Sequence, residues 1–98
     1  MSLALTDDHR QIVQGVLAAH LPAGVSVRAF GSRVKNLSRP YSDLDLAVKS
    51  AGRLTLSQLA DLSEAFSESD LPFKVDVVDW RAASPVLQAT IDRDSVEI

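Results

Sequence analysis

Apolar residues recur along this chain in two periods. Ile12, Val13, Val16 and Leu17 repeat at the three-and-four spacing of an amphipathic helix, and Leu21 closes the stripe ahead of Pro22. Thr6 stands where an N-cap belongs, with Asp7 and Asp8 in the first turn, where the helix dipole favours negative charge. After the turn at Ala23-Gly24 the period shortens to two: Val25, Val27 and Ala29 share one face of a strand ending at Phe30. Gly31-Ser32 breaks that strand. Residues 33–37 read as a short helix or turn, and Ser38 to Ser42, with Pro40, as a loop. Asp43 to Val48 is a second strand with Leu44, Leu46 and Val48 on one face.

Thr55 and Gln58 have the spacing of a capping box. They open a helix from Leu56 to Phe66 whose expected apolar face is Leu56, Leu59, Leu62 and Phe66. Phe73 to Trp80 is the third strand, with Phe73, Val75 and Val77 aligned. Ser84-Pro85 supplies an N-cap and a first-turn proline for a helix through Ile91, and Ser95 to Ile98 adds a short final strand. The order predicts an α/β sandwich: one domain over residues 1–98, a small mixed sheet with helices on one face. There is no internal repeat or low-complexity tract.

Composition narrows the chemistry. Among 98 residues, 46% are apolar, enough for an ordinary core, and the absence of cysteine removes disulfides, thiolate metal sites and thiol nucleophiles. That fits a cytosolic protein. Ten basic residues scattered among thirteen acidic ones, net charge −3, do not make the electrostatic footprint of direct nucleic-acid binding. Met1 to Asp8 lacks the basic flank and apolar run of a signal peptide, and no stretch reaches membrane-spanning length.

The informative segment is Gly31-Ser32, a ten-residue gap, then Asp43-Leu44-Asp45. Side chains two apart on a strand point to the same side, so Asp43 and Asp45 share the face opposite Leu44 and Leu46. Two ionised carboxylates that close repel by roughly a few kcal/mol at intermediate dielectric. A hard cation relieves this, and Mg²⁺ favours one or two carboxylates together with substrate phosphates. Lys74, Asp76 and Val78 lie on the second face of the third strand. If the two strands are neighbours in register, Asp76 becomes a third carboxylate and allows two metals. Gly31 admits close backbone approach to a phosphate, Ser32 offers a hydroxyl where a helical turn begins, and Arg33 and Lys35 are candidate counter-charges for a triphosphate. Asp79, three positions beyond Asp76, reads as a strand-end surface charge.

Phe30-Gly31-Ser32-Arg33, the gap, and Ser42-Asp43-Leu44-Asp45-Leu46 resemble the signature of the DNA polymerase beta-type nucleotidyltransferase superfamily. Val75-Asp76-Val77-Val78-Asp79, Ile91-Asp92-Arg93-Asp94 and the short length resemble its minimal nucleotidyltransferase (MNT) branch. The resemblance implies two Mg²⁺ ions on Asp43, Asp45 and Asp76, and transfer of a nucleotidyl group, usually AMP from ATP, to an acceptor hydroxyl. It also implies a partner: members of this branch often pair with a small helical HEPN-domain toxin, with a tyrosine of that toxin as the expected target of the antitoxin. Lys35 departs from the common pattern, where a second arginine is frequent, and Ser38-Arg39-Pro40-Tyr41 fills the loop.

Each residue has a plainer reading. Asp43 and Asp45 are then a solvent-facing strand start, Gly31 a turn glycine and Ser32 a cap. Arg33 and Lys35 are surface charges, and His9 and His20 surface or cap residues of the first helix. Tyr41 contacts nucleotide or simply packs, and Trp80 belongs to the core or to a partner surface. The alternatives to a protein-modifying enzyme are a non-catalytic antitoxin that masks its partner by contact, in homo- or hetero-oligomers, and a transferase for a small molecule.

Overall fold

Thr6 and Thr55 each begin a helix by accepting from a main-chain N–H three residues on. In the computed structural model, which describes residues 2–35, 39 and 41–98, the Thr6 hydroxyl accepts from the His9 N–H at the head of α1 (Asp7–His20). The Thr55–Gln58 pair closes the expected capping box of α2 (Leu56–Ser67), at 2.8 and 3.0 Å. Ser84 accepts from the Leu87 N–H to start α3 (Pro85–Arg93), with Pro85 in its first turn.

The strands are β1 (Ser26–Phe30), β2 (Leu44–Lys49), β3 (Val75–Asp79) and β4 (Val96–Glu97), in the order β3-β2-β1-β4. β1 runs antiparallel to β2 and β4, and β2 parallel to β3, so the sheet is mixed as expected. Single 3₁₀ turns follow β1 (Ser32–Val34) and β3 (Trp80–Ala82). Asn36, Leu37, Ser38 and Pro40, on which part of the expected turn and loop falls, lie outside the described residues.

One face of the sheet carries the core. Val27, Ala29, Leu44, Leu46, Val48 and Val75 pack with Val13 and Leu17 of α1 and with Leu62 and Phe66 of α2. Complete burial of such aliphatic and aromatic side chains stabilises by about 1.5–3 kcal/mol each.

Four features depart from the sequence reading. Leu56, expected on the apolar face of α2, is 86% exposed. Each three-residue step from Leu62 to Leu59 to Leu56 falls short of a full helical turn by about 60°, so the stripe has rotated off the core by the first turn. The third strand is shorter than Phe73 to Trp80: Phe73 is buried ahead of it, and Trp80 turns into the 3₁₀ segment. Asp79 is 5% exposed rather than a surface charge. Its carboxylate accepts from the Leu54 N–H at 2.8 Å and the Arg81 N–H at 3.1 Å, which ties the lead into α2 to the end of β3.

The fourth departure concerns α3. α1 and α2 cover one face as expected, but α3 reaches the other. Lys49, on the face opposite the core, pairs with Asp92 of α3 at 3.2 Å and stands 4.3 Å from the centre of the Trp80 ring. Arg28, on that same face of β1, donates to the Ser95 hydroxyl and carbonyl just past α3. Ala47 and Ile91, both buried and neither part of the α1–α2 core cluster, fit this second layer. α3 therefore packs at the Lys49 end of this face, four residues along β2 from the partly exposed Asp45.

Candidate active site

The chain turns out of β1 through Gly31, at φ 82° and ψ −152°, a backbone state that residues with a β-carbon rarely tolerate. Close approach adds to the requirement, because a β-carbon built on Gly31 would collide with the Asp45 carboxylate. The sheet explains why the two meet. Phe30, the last residue of β1, is the register partner of Asp45 on β2, so the next residue passes beside the Asp45 side chain. Ser32 follows at the start of the 3₁₀ turn, partly exposed.

Asp45 has a second register partner across the parallel ladder, Asp76 of β3. The convergence that the sequence made conditional on neighbouring strands in register is thus met for this pair. Asp43 is exposed, just ahead of β2, and two residues before Asp45. Partial burial raises the Asp45 carboxyl above the usual carboxylate range, and the charges of Asp76 and then Asp43 raise it further. Asp45 is thus strained electrostatically by its two neighbours.

Among the described residues no three or more His, Asp or Glu side chains stand together as a ready-made metal cage. Asp76 is engaged instead by Lys74, Nζ to Oδ1 3.3 Å, two residues earlier on the same face of β3. The donor set nonetheless suits a hard cation: carboxylate oxygens that repel one another, beside a glycine cradle that keeps the space over Asp45 free of a side chain.

Arg33, expected to face a triphosphate, occupies a structural position. It is 5% exposed. Its Nε and Nη2 donate to the Ser42 carbonyl at 3.0 and 2.8 Å, its Nη1 donates to the Ala4 carbonyl at 2.8 Å, and its guanidinium lies 4.1 Å from the centre of the Phe73 ring. Burial lowers its pKa, and the charge of Asp43 opposes that shift. The effect is to pin the residue before Asp43 against the N-terminal segment. Lys35 is exposed at the end of the 3₁₀ turn. Tyr41 does not pack, being 75% exposed.

Sequence reasoning missed two supports of this site. Phe73 was read only as a core residue, yet it is a platform with Arg33 over its face and the His9 ring at its edge, 5.5 Å between centroids. Lys74 was placed on the correct face without a role, although its i, i+2 spacing from Asp76 already put the two side by side.

A mixed sheet sets two aspartates in register beside a positive-φ glycine, with a third carboxylate one step before the strand, and this arrangement is the candidate site for nucleotidyl transfer. The comparisons identify the family. Residues 18–98 match the family described as polymerase beta, nucleotidyltransferase. The chain is 45% identical over 82 residues, 84% of its length and 71% of the relative's, to a Haemophilus influenzae protein named "Probable protein adenylyltransferase MntA". It superposes on a toxin–antitoxin crystallised with AMP-PNP with a TM-score of 0.77 at 28% identity, covering 89% of this chain and 69% of the other. A complex of tri-AMPylated Shewanella oneidensis HEPN toxin with MNT antitoxin gives a TM-score of 0.67 at 27% identity, covering 90% and 69%. The chain belongs to the polymerase beta nucleotidyltransferase family, and it is a nucleotidyltransferase of the minimal, MntA-like kind.

No helix among the described residues is long and apolar enough to cross a membrane.

Proposed function

We propose that this chain transfers AMP from ATP to the hydroxyl of a tyrosine on a helical HEPN-type partner, as the antitoxin of a HEPN/MNT pair in the cytoplasm. The observation that carries the chemistry is the Asp45–Asp76 register across β2 and β3, overlooked by Gly31. The protein acceptor is supported by the 45% identity to a relative named for protein adenylylation and by the likeness to an AMPylated toxin bound to its antitoxin.

In this reading Asp43, Asp45 and Asp76 would hold two Mg²⁺ ions, which would supply charge neutralisation for the transfer. Gly31 keeps the space above Asp45 open for phosphate, Ser32 offers its hydroxyl and Lys35 its ammonium. The acceptor oxygen forms a bond to the α-phosphorus, the bond from that phosphorus to the α–β bridging oxygen breaks, and pyrophosphate leaves with the electron pair. The hydroxyl proton passes to the carboxylate pair. The rate gain comes from alignment and charge placement rather than from a covalent enzyme intermediate.

One observation bears on a second reading, an antitoxin acting by contact alone: Lys74 pairs with Oδ1 of Asp76, one of the three carboxylates. The two readings separate in one experiment: α-labelled ATP and Mg²⁺ incubated with a HEPN-domain protein from the same source, with the unaltered chain or with Asp43→Asn/Asp45→Asn. Label on the partner only with the unaltered chain supports transfer. Absence of label together with full neutralisation by the double variant rejects transfer in favour of masking.

A further inference from the structure

We propose that the outer edge of β3 receives an extended segment of the acceptor protein as an added strand, and that this pairing brings the acceptor hydroxyl into line with Asp45 and Asp76. The inference rests on the protein-acceptor reading above and gives it a docking surface.

β3 ends the sheet, with β2 on one side and no strand on the other among the described residues. Its hydrogen-bond polarity is fixed by one contact: the Leu44 N–H donates to the Lys74 carbonyl at 2.9 Å. In a parallel ladder with Leu44 opposite Val75, that bond turns the main-chain groups of Lys74, Asp76 and Val78 toward β2. The N–H and C=O groups of Val75 and Val77 then face outward, where an added strand would use them.

The edge is not a bare rim. A groove of about 630 Å³ runs along it, between β3 and the C-terminal half of α2, lined by Phe66, Ser67, Leu71, Phe73 and Val77, with Lys74 and Asp76 on its wall. Apolar side chains from alternate positions of an extended peptide have a place to go on the α2 side. Residues of the intervening parity project to the opposite face.

What selects the acceptor as occupant is continuity with the carboxylates. Asp45 and Asp76 are register partners on adjacent strands, and the next position in that row belongs to whatever pairs with the free edge. Side chains of paired residues share a face. Because the Asp76 main chain turns inward, an antiparallel partner meets it as a non-hydrogen-bonded pair, the closer of the two kinds, with α-carbons about 4.5 Å apart. The acceptor residue would stand beside Asp76 as Asp76 stands beside Asp45. Among the described residues no other sheet edge reaches the site this way: β4, at the far side of the sheet, is separated from Asp45 by β1.

The test uses the full chain and a HEPN-domain protein from the same source as acceptor. Ser67→Arg places a long side chain in the groove, and at the end of α2 a positive charge suits the helix dipole. It should keep Mg²⁺-ATP binding while lowering labelling of the acceptor by at least about tenfold, a loss of some 1.4 kcal/mol. Independently of any groove variant, residue-resolved amide exchange is followed on Asp43→Asn/Asp45→Asn with the acceptor added. Val75 and Val77 should gain protection while Asp76 and Val78, already in the ladder, change little. If Ser67→Arg fails to fold, the exchange experiment decides alone. Undiminished labelling by Ser67→Arg, unchanged exchange at Val75 and Val77 with acceptor bound, or protection that grows with the concentration of this chain alone, as in self-pairing, overturns the inference. If the unaltered chain labels no protein, the protein-acceptor reading itself has failed.

Discussion

Gly31 and Asp45 are placed so that no side chain fits between them: a β-carbon on the glycine would overlap an oxygen of the carboxylate. The glycine is held at φ 82°, and its neighbour Phe30 is paired with Asp45 across β1 and β2. Sheet register, backbone conformation and the position of one acidic oxygen are thus set by a single joint. Any change there acts on both fold and chemistry.

Gly31→Ala should therefore cost stability through the positive φ and disturb the site through displacement of the Asp45 carboxylate. The strain alone amounts to about 1–3 kcal/mol. Urea unfolding reads the first effect. Labelled-ATP transfer under conditions where the variant remains folded reads the second, and should be nearly abolished. Unimpaired transfer would show that the space above Asp45 is not used.

Asp45→Asn should stabilise the Mg²⁺-free protein while removing transfer. Burial, Asp76 and Asp43 raise the folded-state pKa of Asp45 above its unfolded value. The folded chain therefore binds this proton more tightly, and stability falls as pH rises from the ordinary carboxylate range through the raised folded pKa. Above that window the penalty is constant, and below it the penalty vanishes. The carboxyl is only partly buried, so solvent screening keeps the effect small. Melting curves of both proteins at neutral pH and near pH 3, without divalent ions, should converge at the acid end. A lower Tm for Asp45→Asn at neutral pH would contradict the assignment.

Arg33 and Asp79 show how far the sequence could be read. Helix starts, strand faces and the carboxylate row follow from local chemistry: hydroxyl caps at Thr6, Thr55 and Ser84, and period-two alternation through Leu44, Leu46 and Val48 with Asp45 between them. Those rules involve neighbours within a few residues. Arg33 depends on partners at Ala4, Ser42 and Phe73, and Asp79 on the Leu54 N–H, 25 residues away. A charged side chain surrounded by distant carbonyls or amides looks, in sequence, the same as one in water. The α3 layer was missed for a related reason. Its short amphipathic stripe specifies that it packs, and only contacts such as Lys49 to Asp92 specify on which face.

Asp79→Ala should lower stability without touching chemistry. It leaves the Leu54 and Arg81 amides without their acceptor, a cost of about 1–3 kcal/mol per unsatisfied buried group. Transfer per folded molecule, and its dependence on ATP concentration, should match the unaltered chain. A selective loss of transfer would instead place Asp79 in the site and imply a different strand register.

Arg33→Lys distinguishes a scaffold from a phosphate ligand. A lysine keeps the charge but cannot reproduce the fork that gives Nε and Nη2 to the Ser42 carbonyl while Nη1 reaches Ala4, nor the flat stacking on Phe73. If the guanidinium serves the fold, the variant loses about 1–3 kcal/mol, and the residue before Asp43 is no longer pinned. Transfer should then fall through kcat, with the concentration dependence on ATP little changed, because a displaced Asp43 affects alignment more than nucleotide capture. If Arg33 instead grips the triphosphate, lysine should largely preserve stability and raise KM for ATP. Denaturation and steady-state transfer measured on the same preparation separate the two, and the contacts of Arg33 with Ser42, Ala4 and Phe73 favour the first.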